Sequence, residues 1–163
     1  MSLFSSLFRN VLGKPGAADY RDSAEHFVRV MREHGIALGW GKEELRFVDA
    51  LVERLSSHDE FRDAVGCWLG EIFVRAFGGE WAPGHALGPA VRVKTPEKGT
   101  RHLFPLGWVY RRADGGPSES IAARCHKELG EPDDPARLGS FTDEGARVWP
   151  FAGGHPPDHL LPV

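Results

Sequence analysis

Two cysteines in 163 residues cannot build a disulfide framework, and Cys67 and Cys125 form no C-x-x-C pair that could seed a zinc ribbon or a redox site. A reducing, cytoplasmic setting is therefore expected. No apolar run approaches the ~20 residues of a membrane span. The residues before Gly13 carry a single cation, Arg9, and no apolar h-region, so no secretory signal is read there. The usual marks of catalysis are missing as well. Gly35, Gly39, Gly41 and Lys42 look like a phosphate loop, but Glu43 stands where Ser or Thr is needed and Ile36 where the first glycine belongs. The stretch reads instead as a helix–helix connection that needs glycines for its turn. There is no H-E-x-x-H among eight histidines. His155 and His159 are four apart in a proline-broken segment, where that spacing aims no two rings at one point. No G-x-S-x-G elbow occurs, and Ser118 and Ser120 read as helix caps. No catalytic residue, metal or cofactor is expected from these patterns, and nothing marks the chain as an enzyme.

Twenty Gly and twelve Pro stand beside five Trp and ten Phe, the composition of a folded, loop-rich chain with ample core material. Residues 1–16 form an amphipathic segment and linker. Leu3, Phe4, Leu7, Phe8, Val11 and Leu12 recur at helical spacing, and Gly13, Pro15 and Gly16 break the pattern. Such a short helix is marginal in water unless its stripe docks on something. Residues 17–163 read as one α+β domain whose Pro/Gly-rich C-terminal region begins at about 131.

Within it, the spacing predicts a first helix from Asp22, capped with Glu25, to Gly35. A second follows Gly41, with Glu43 and Glu44 in its first turn. A third, capped by Ser57 and Glu60, carries Phe61, Val65, Trp68, Leu69, Ile72, Phe73 and Phe77 as the central core helix. Gly66 and Gly70 share one of its faces and would let a backbone or a Trp ring approach, and Trp81 is expected to fold back there. Val91 and Val93 alternate with Arg92 and Lys94, and Pro96 to Gly99 turns the chain into a hairpin ending near Phe104. Trp108 to Arg111 reads as a third strand. Ser118 would cap one further short helix ending at Gly130. Phe141, Val148, Trp149 and Phe151 are too apolar for a free tail. The expected architecture is N-terminal helices packed on a small antiparallel sheet, one more short helix, and a loop-rich C-terminal region.

Charge is uneven along the chain. Residues 81–112 hold six cations against one carboxylate, while residues 19–80 and 113–163 are each acidic by five charges. The hairpin region is a basic island in a protein of net charge −3. Arg92, Lys94, Arg101, Arg111 and Arg112 are thus candidate partner contacts, beside Leu3, Phe4, Leu7 and Phe8 of the N-terminal stripe. Solvated cations on edge strands also serve merely to block edge-to-edge pairing. Glu71 is the acid singled out, either as an i,i+4 partner of Arg75 or as a buried group in a pocket with Trp81, His102 and Trp108.

Gly66-Cys67-Trp68-Leu69-Gly70-Glu71, then Gly78-Gly79-Glu80-Trp81 and Phe104-Pro105-Leu106, resembles a pattern of small bacterial domains of uncharacterised function. That pattern is G-x-[aromatic]-L-G-E on a helix followed by a G-G-x-W helix end. The similarity covers about residues 60–125. It implies a small bacterial α+β domain with no assigned catalytic residues, and it transfers no activity.

Three functional expectations follow. The first is a non-catalytic domain that binds another protein, or another copy of itself, in the manner of an immunity-type inhibitor; that analogy rests on size and class alone. The second is a small-molecule-binding or enzymatic domain with a pocket between the central helix and the sheet. The third is single-strand binding, with Phe104, Trp108 and Tyr110 interleaved among the cations. Net negative charge and the lack of RNP-like or helix-turn-helix signatures count against nucleic acid. Arg9 alone supports only weak contact of residues 1–12 with a membrane surface.

Overall fold

The computed structural model describes residues 16–55, 59–130 and 138–148. The expected N-terminal helix, Ser57 of the third helix's cap, and Trp149 and Phe151 lie outside them. Helix α1 runs Ala17–Glu33 with Gly16 as its cap, six residues earlier than a cap at Asp22 predicts. The amide of the N-cap Gly16 donates to Asp19 Oδ2 at 2.8 Å, so Asp19 closes the first turn and Asp22 is an exposed residue inside the helix. After Gly35, which takes the positive φ of a helix stop, the loop through Gly41 is pinned by Trp68, whose Nε1–H donates to the Gly39 carbonyl at 3.0 Å. The second predicted helix begins as a 3-10 turn, Lys42–Phe47, and becomes α2, Val48–Leu55.

Helix α3, Asp59–Phe77, is the centre. Residues 64 to 73 are all buried, because its apolar side chains surround the axis rather than forming a stripe. Helix α1 packs against it, as does the later helix Pro105–Gly115. Gly78, at φ +66, releases the chain into β1, Glu80–Ala82. It pairs antiparallel with β2, Ala90–Thr95, which pairs in turn with β3, Gly99–Leu103. Trp81 faces Val91, and Val91 faces Leu103; these and Val93 are the buried face against α3.

The third strand is therefore β1, and Trp108 to Arg111 is not a strand. It belongs to α4, Pro105–Gly115. Pro105 occupies the first turn, where its missing N–H is harmless and its φ suits a helix. Trp108, Val109 and Arg112 then fall on one buried face, and that packing overrides the strand propensity of Trp-Val-Tyr. A 3-10 turn, Gly116–Glu119, leads to α5, Ile121–Leu129. Its N-cap is Ser120, whose Oγ accepts from the Ala123 amide at 3.2 Å; Ser118 lies in the preceding turn. Strands β4, Ser140–Phe141, and β5, Arg147–Val148, form a ribbon over the 3-10 turn: Phe141 packs on Phe47 at 5.6 Å between ring centres. The fold is α+β. No helix among the described residues is long and apolar enough to cross a membrane.

The glycine face of α3 is used as its spacing suggests. A Cβ on Gly70 would lie 2.2 Å from Cη2 of Trp81, and one on Gly66 2.8 Å from Cα of Leu106. Neither neighbour is a flexible chain end, so a methyl group must displace an indole or a helix. Gly70→Ala is expected to lower unfolding stability in urea by about 1–3 kcal/mol. Gly84→Ala, which points into open space, should leave the midpoint unchanged.

Candidate functional site

Helix α3 places Glu71 one residue beyond Gly70, beneath the indole that Gly70 admits. Its carboxylate is only 2% exposed with its residue. It accepts from Trp81 Nε1 at 3.2 Å and from Arg75 Nε at 2.9 Å. Arg75 continues outward, donating to Glu25 at 2.9 Å and stacking 3.9 Å over the Trp40 ring. Tyr20 of α1 lies flat on the other side of Trp81, 4.5 Å between centres. Glu71 is thus buried and also paired with Arg75, and both oxygens are engaged in joining α1, α3 and β1. Trp81 shares this cluster. Trp108 sits on α4, edge-on to Phe73 at 5.9 Å. His102 lies on the opposite face of the sheet, its register partner Arg92 beside it. The four residues expected to line one pocket are therefore split among three places, because β3 turns His102 away from α3 while Trp108 is helical.

Two further buried carboxylates escaped sequence reasoning. Asp49 of α2 accepts from Arg112 Nε (3.1 Å), Ser120 Oγ (2.9 Å) and the amides of Ile121 (2.8 Å) and Ala122 (3.0 Å). It caps α5 across more than seventy residues of chain, where carboxylate and helix dipole also attract. Nothing near Asp49 in sequence signals this. Glu44, which a dipole role alone would leave exposed, is buried under Gly39 and bonded to Arg147; Arg147 also covers the Phe47 ring at 4.2 Å. Burial holds the Glu44 carboxyl above its ordinary range despite that arginine. The same cause pushes both thiols, Cys67 and Cys125, well above theirs, so neither is a ready nucleophile.

The proposed basic contacts also separate. Arg112 is not on the surface: it is buried between Asp49 and Glu53, because the helical α4 turns it inward. Arg111 is exposed but belongs to α4, away from the hairpin. Arg101 shares the register row of Val93 on the inner side and lies 3.7 Å from Glu128 of α5. Arg92 and Lys94 alone stand on the outer sheet face, both exposed, with Arg92 bridging Glu80 at 2.6 Å. Leu3, Phe4, Leu7 and Phe8 fall outside the described residues.

Beside Arg92, the outer face carries a second feature that sequence reading missed. The rings of His85 and His102 lie 5.0 Å apart, and His85 meets Phe104 edge-on at 5.1 Å. The loop that brings His85 there also presents Leu87, 79% exposed. Of the aromatics expected between cations, Phe104 is half-buried, Trp108 is in the core and Tyr110 bonds Asp63 at 2.9 Å. They form no row on the sheet for stacked bases. Among the described residues no three metal-ligating side chains converge. Compared with known protein families, curated proteins and solved structures, the chain matches none.

Asp49→Ala would leave Arg112 buried without its carboxylate and two helix amides without an acceptor. The expected loss is about 3–5 kcal/mol of unfolding free energy, with Asp49→Asn intermediate; an unchanged denaturation midpoint would contradict the role. For Glu44 the folded state holds its proton more firmly than the unfolded chain does. Stability relative to the non-titrating Glu44→Gln variant should therefore fall as pH rises from the ordinary value of 4.5 through the raised one. Thermal melts of the two proteins across that range check the sign, and a flat or rising difference would refute it.

Proposed function

We propose that this chain is a non-catalytic domain that binds a protein partner bearing an acidic surface, across the outer face of β1, β2 and β3. The supporting observation is the pair of exposed cations Arg92 and Lys94, with His102 beside Arg92 and Glu80 bridging it, on the face of the sheet opposite the buried Val91, Val93 and Leu103. Cations on a rigid strand pair keep fixed spacing, which suits recognition of a complementary acidic patch more than a diffuse field would. Leu87 and Phe104 add apolar surface at the same end. The carboxylates and thiols that could carry chemistry are engaged or shielded inside, which favours binding over catalysis. An immunity-type inhibitor is one form of this reading. The resemblance of residues 60–125 to small bacterial domains, and a reducing cytoplasmic setting for two free thiols, belong with it.

Affinity capture from a lysate of the source cells, with quantitative mass spectrometry, tests it. The full chain should retain an acidic partner at low salt. The double reversal Arg92→Glu with Lys94→Glu should reduce retention by about tenfold or more, as should high salt, whereas Arg111→Glu should not. Equal retention by the sheet variant would remove the outer face from the interface. Retention abolished by nuclease would turn the reading towards nucleic acid.

A further inference from the structure

We propose that His85 is a proton-sensitive latch that fixes the loop between β1 and β2, residues 83–89, and with it the exposed Leu87, at the outer face of the sheet. The hydrogen bonds described within this loop all pass through His85. Its amide donates to the Ala82 carbonyl at 3.4 Å, its carbonyl accepts from the Gly88 amide at 3.0 Å, and its Nδ1 accepts from the Leu87 amide at 3.1 Å. Pro83 and Pro89 bring no N–H of their own, and Gly88 supplies a positive φ of +110 for the turn. The His85 ring is half-buried, 5.0 Å from that of His102 and edge-on to Phe104 at 5.1 Å. The loop thus hangs on one titratable side chain, the only one between Pro83 and Pro89.

A backbone N–H only donates, so Nδ1 must present its lone pair, and the imidazole is neutral with its hydrogen on Nε2. In the imidazolium both ring nitrogens carry hydrogen. The Leu87 amide then faces a second donor, and an attraction is replaced by a repulsion. The surroundings work in the same direction. His102 of β3 and its register partner Arg92 of β2 stand on this face, with Lys94 further along it. Glu80 of β1 supplies a carboxylate there, and Arg92 already bridges it at 2.6 Å. Proton uptake by His85 and closure of the loop therefore compete, so neutral conditions hold the loop and acid releases it. On the contact surface proposed above, Leu87 would keep one position only while His85 is neutral; the latch itself does not rest on that reading.

Nuclear magnetic resonance on the full-length protein, from about pH 8 to about pH 5, tests the latch without any partner. The Leu87 amide resonance should move with the midpoint of the His85 ring, and should do so equally in His102→Gln. Its backbone order parameter should fall from about 0.85 to below about 0.6 on acidification, while the β2–β3 amides stay unchanged. His85→Asn keeps an acceptor that reaches the amide two residues on and has no proton to gain, so Leu87 should stay ordered in acid. His85→Ala should leave Leu87 mobile at both ends of the range. A Leu87 amide that ignores pH, that stops responding in His102→Gln, or that stays ordered in His85→Ala would overturn the proposal. So would loosening of Leu87 by acid in His85→Asn, since its cause would then lie outside His85.

Discussion

Ten consecutive buried residues on α3 impose one demand on the rest of the molecule: anything polar in that stretch must be answered from another element, since water is excluded. Glu71 is its one carboxylate. The answer is Trp81 on β1 and Arg75 one turn along the same helix, and it is possible only because Gly70 leaves the indole room to lie against the helix. The sheet is thereby seated on α3 through a ring, a carboxylate and a missing side chain. Tyr20 closes the far side of that ring, so the placement of α1 depends on the same contact. A smaller residue at 81 would strand the carboxylate, and a larger one at 70 would expel the ring.

Glu71 is one of three such staples. Asp49 ties α2 to α4 and α5, and Glu44 ties the 3-10 turn to Arg147 of the C-terminal ribbon. Each joins segments distant in the chain, and each buries a charge that must keep its partner. Ion pairs of this kind are weak sources of net stability, yet breaking one is costly because an unpaired charge is left behind. Their effect is to specify which elements adjoin. That specification matters where the described residues hold short strands and two 3-10 turns, because hydrophobic burial alone is non-directional.

This division explains what could be read beforehand. The α+β class, the β2–β3 hairpin and the glycine face of α3 rest on spacings of two to eight residues, which the chain displays openly. The start of α1 at Gly16 was legible too, in Pro15-Gly16 followed by Asp19, but Asp22 with Glu25 made a competing signal of equal local quality. Trp108 to Arg111 misled because its residues favour strands, and only burial of Trp108 and Arg112 against α2 and α3 makes it helical. The error carried through to the candidate site: a strand would have shown Arg112 to solvent, while the helix delivers it to Asp49. Asp49 itself has no sequence signature, since its four donors lie more than sixty residues away.

Setting aside the charged groups that are both paired and buried sharpens what is left for function. Arg112 and Glu71 lose their claim as contact groups, and Arg101 faces α5. The outer strand row keeps its claim, because the alternation that buries Val91 and Val93 obliges Arg92 and Lys94 to face outward. Phe61 stands in the first turn of α3, whereas the sheet meets the helix from Gly70 to Gly79. Some eighteen residues, about 27 Å of helix, separate Phe61 from the exit at Gly79. At that distance substitutions act independently unless an element between them has two arrangements, and the stretch 64–73 of α3, buried on every side, offers little room for a second one. A substitution at Phe61 is therefore expected to leave the outer row of Arg92 and Lys94, at the other end of that helix, where it stands.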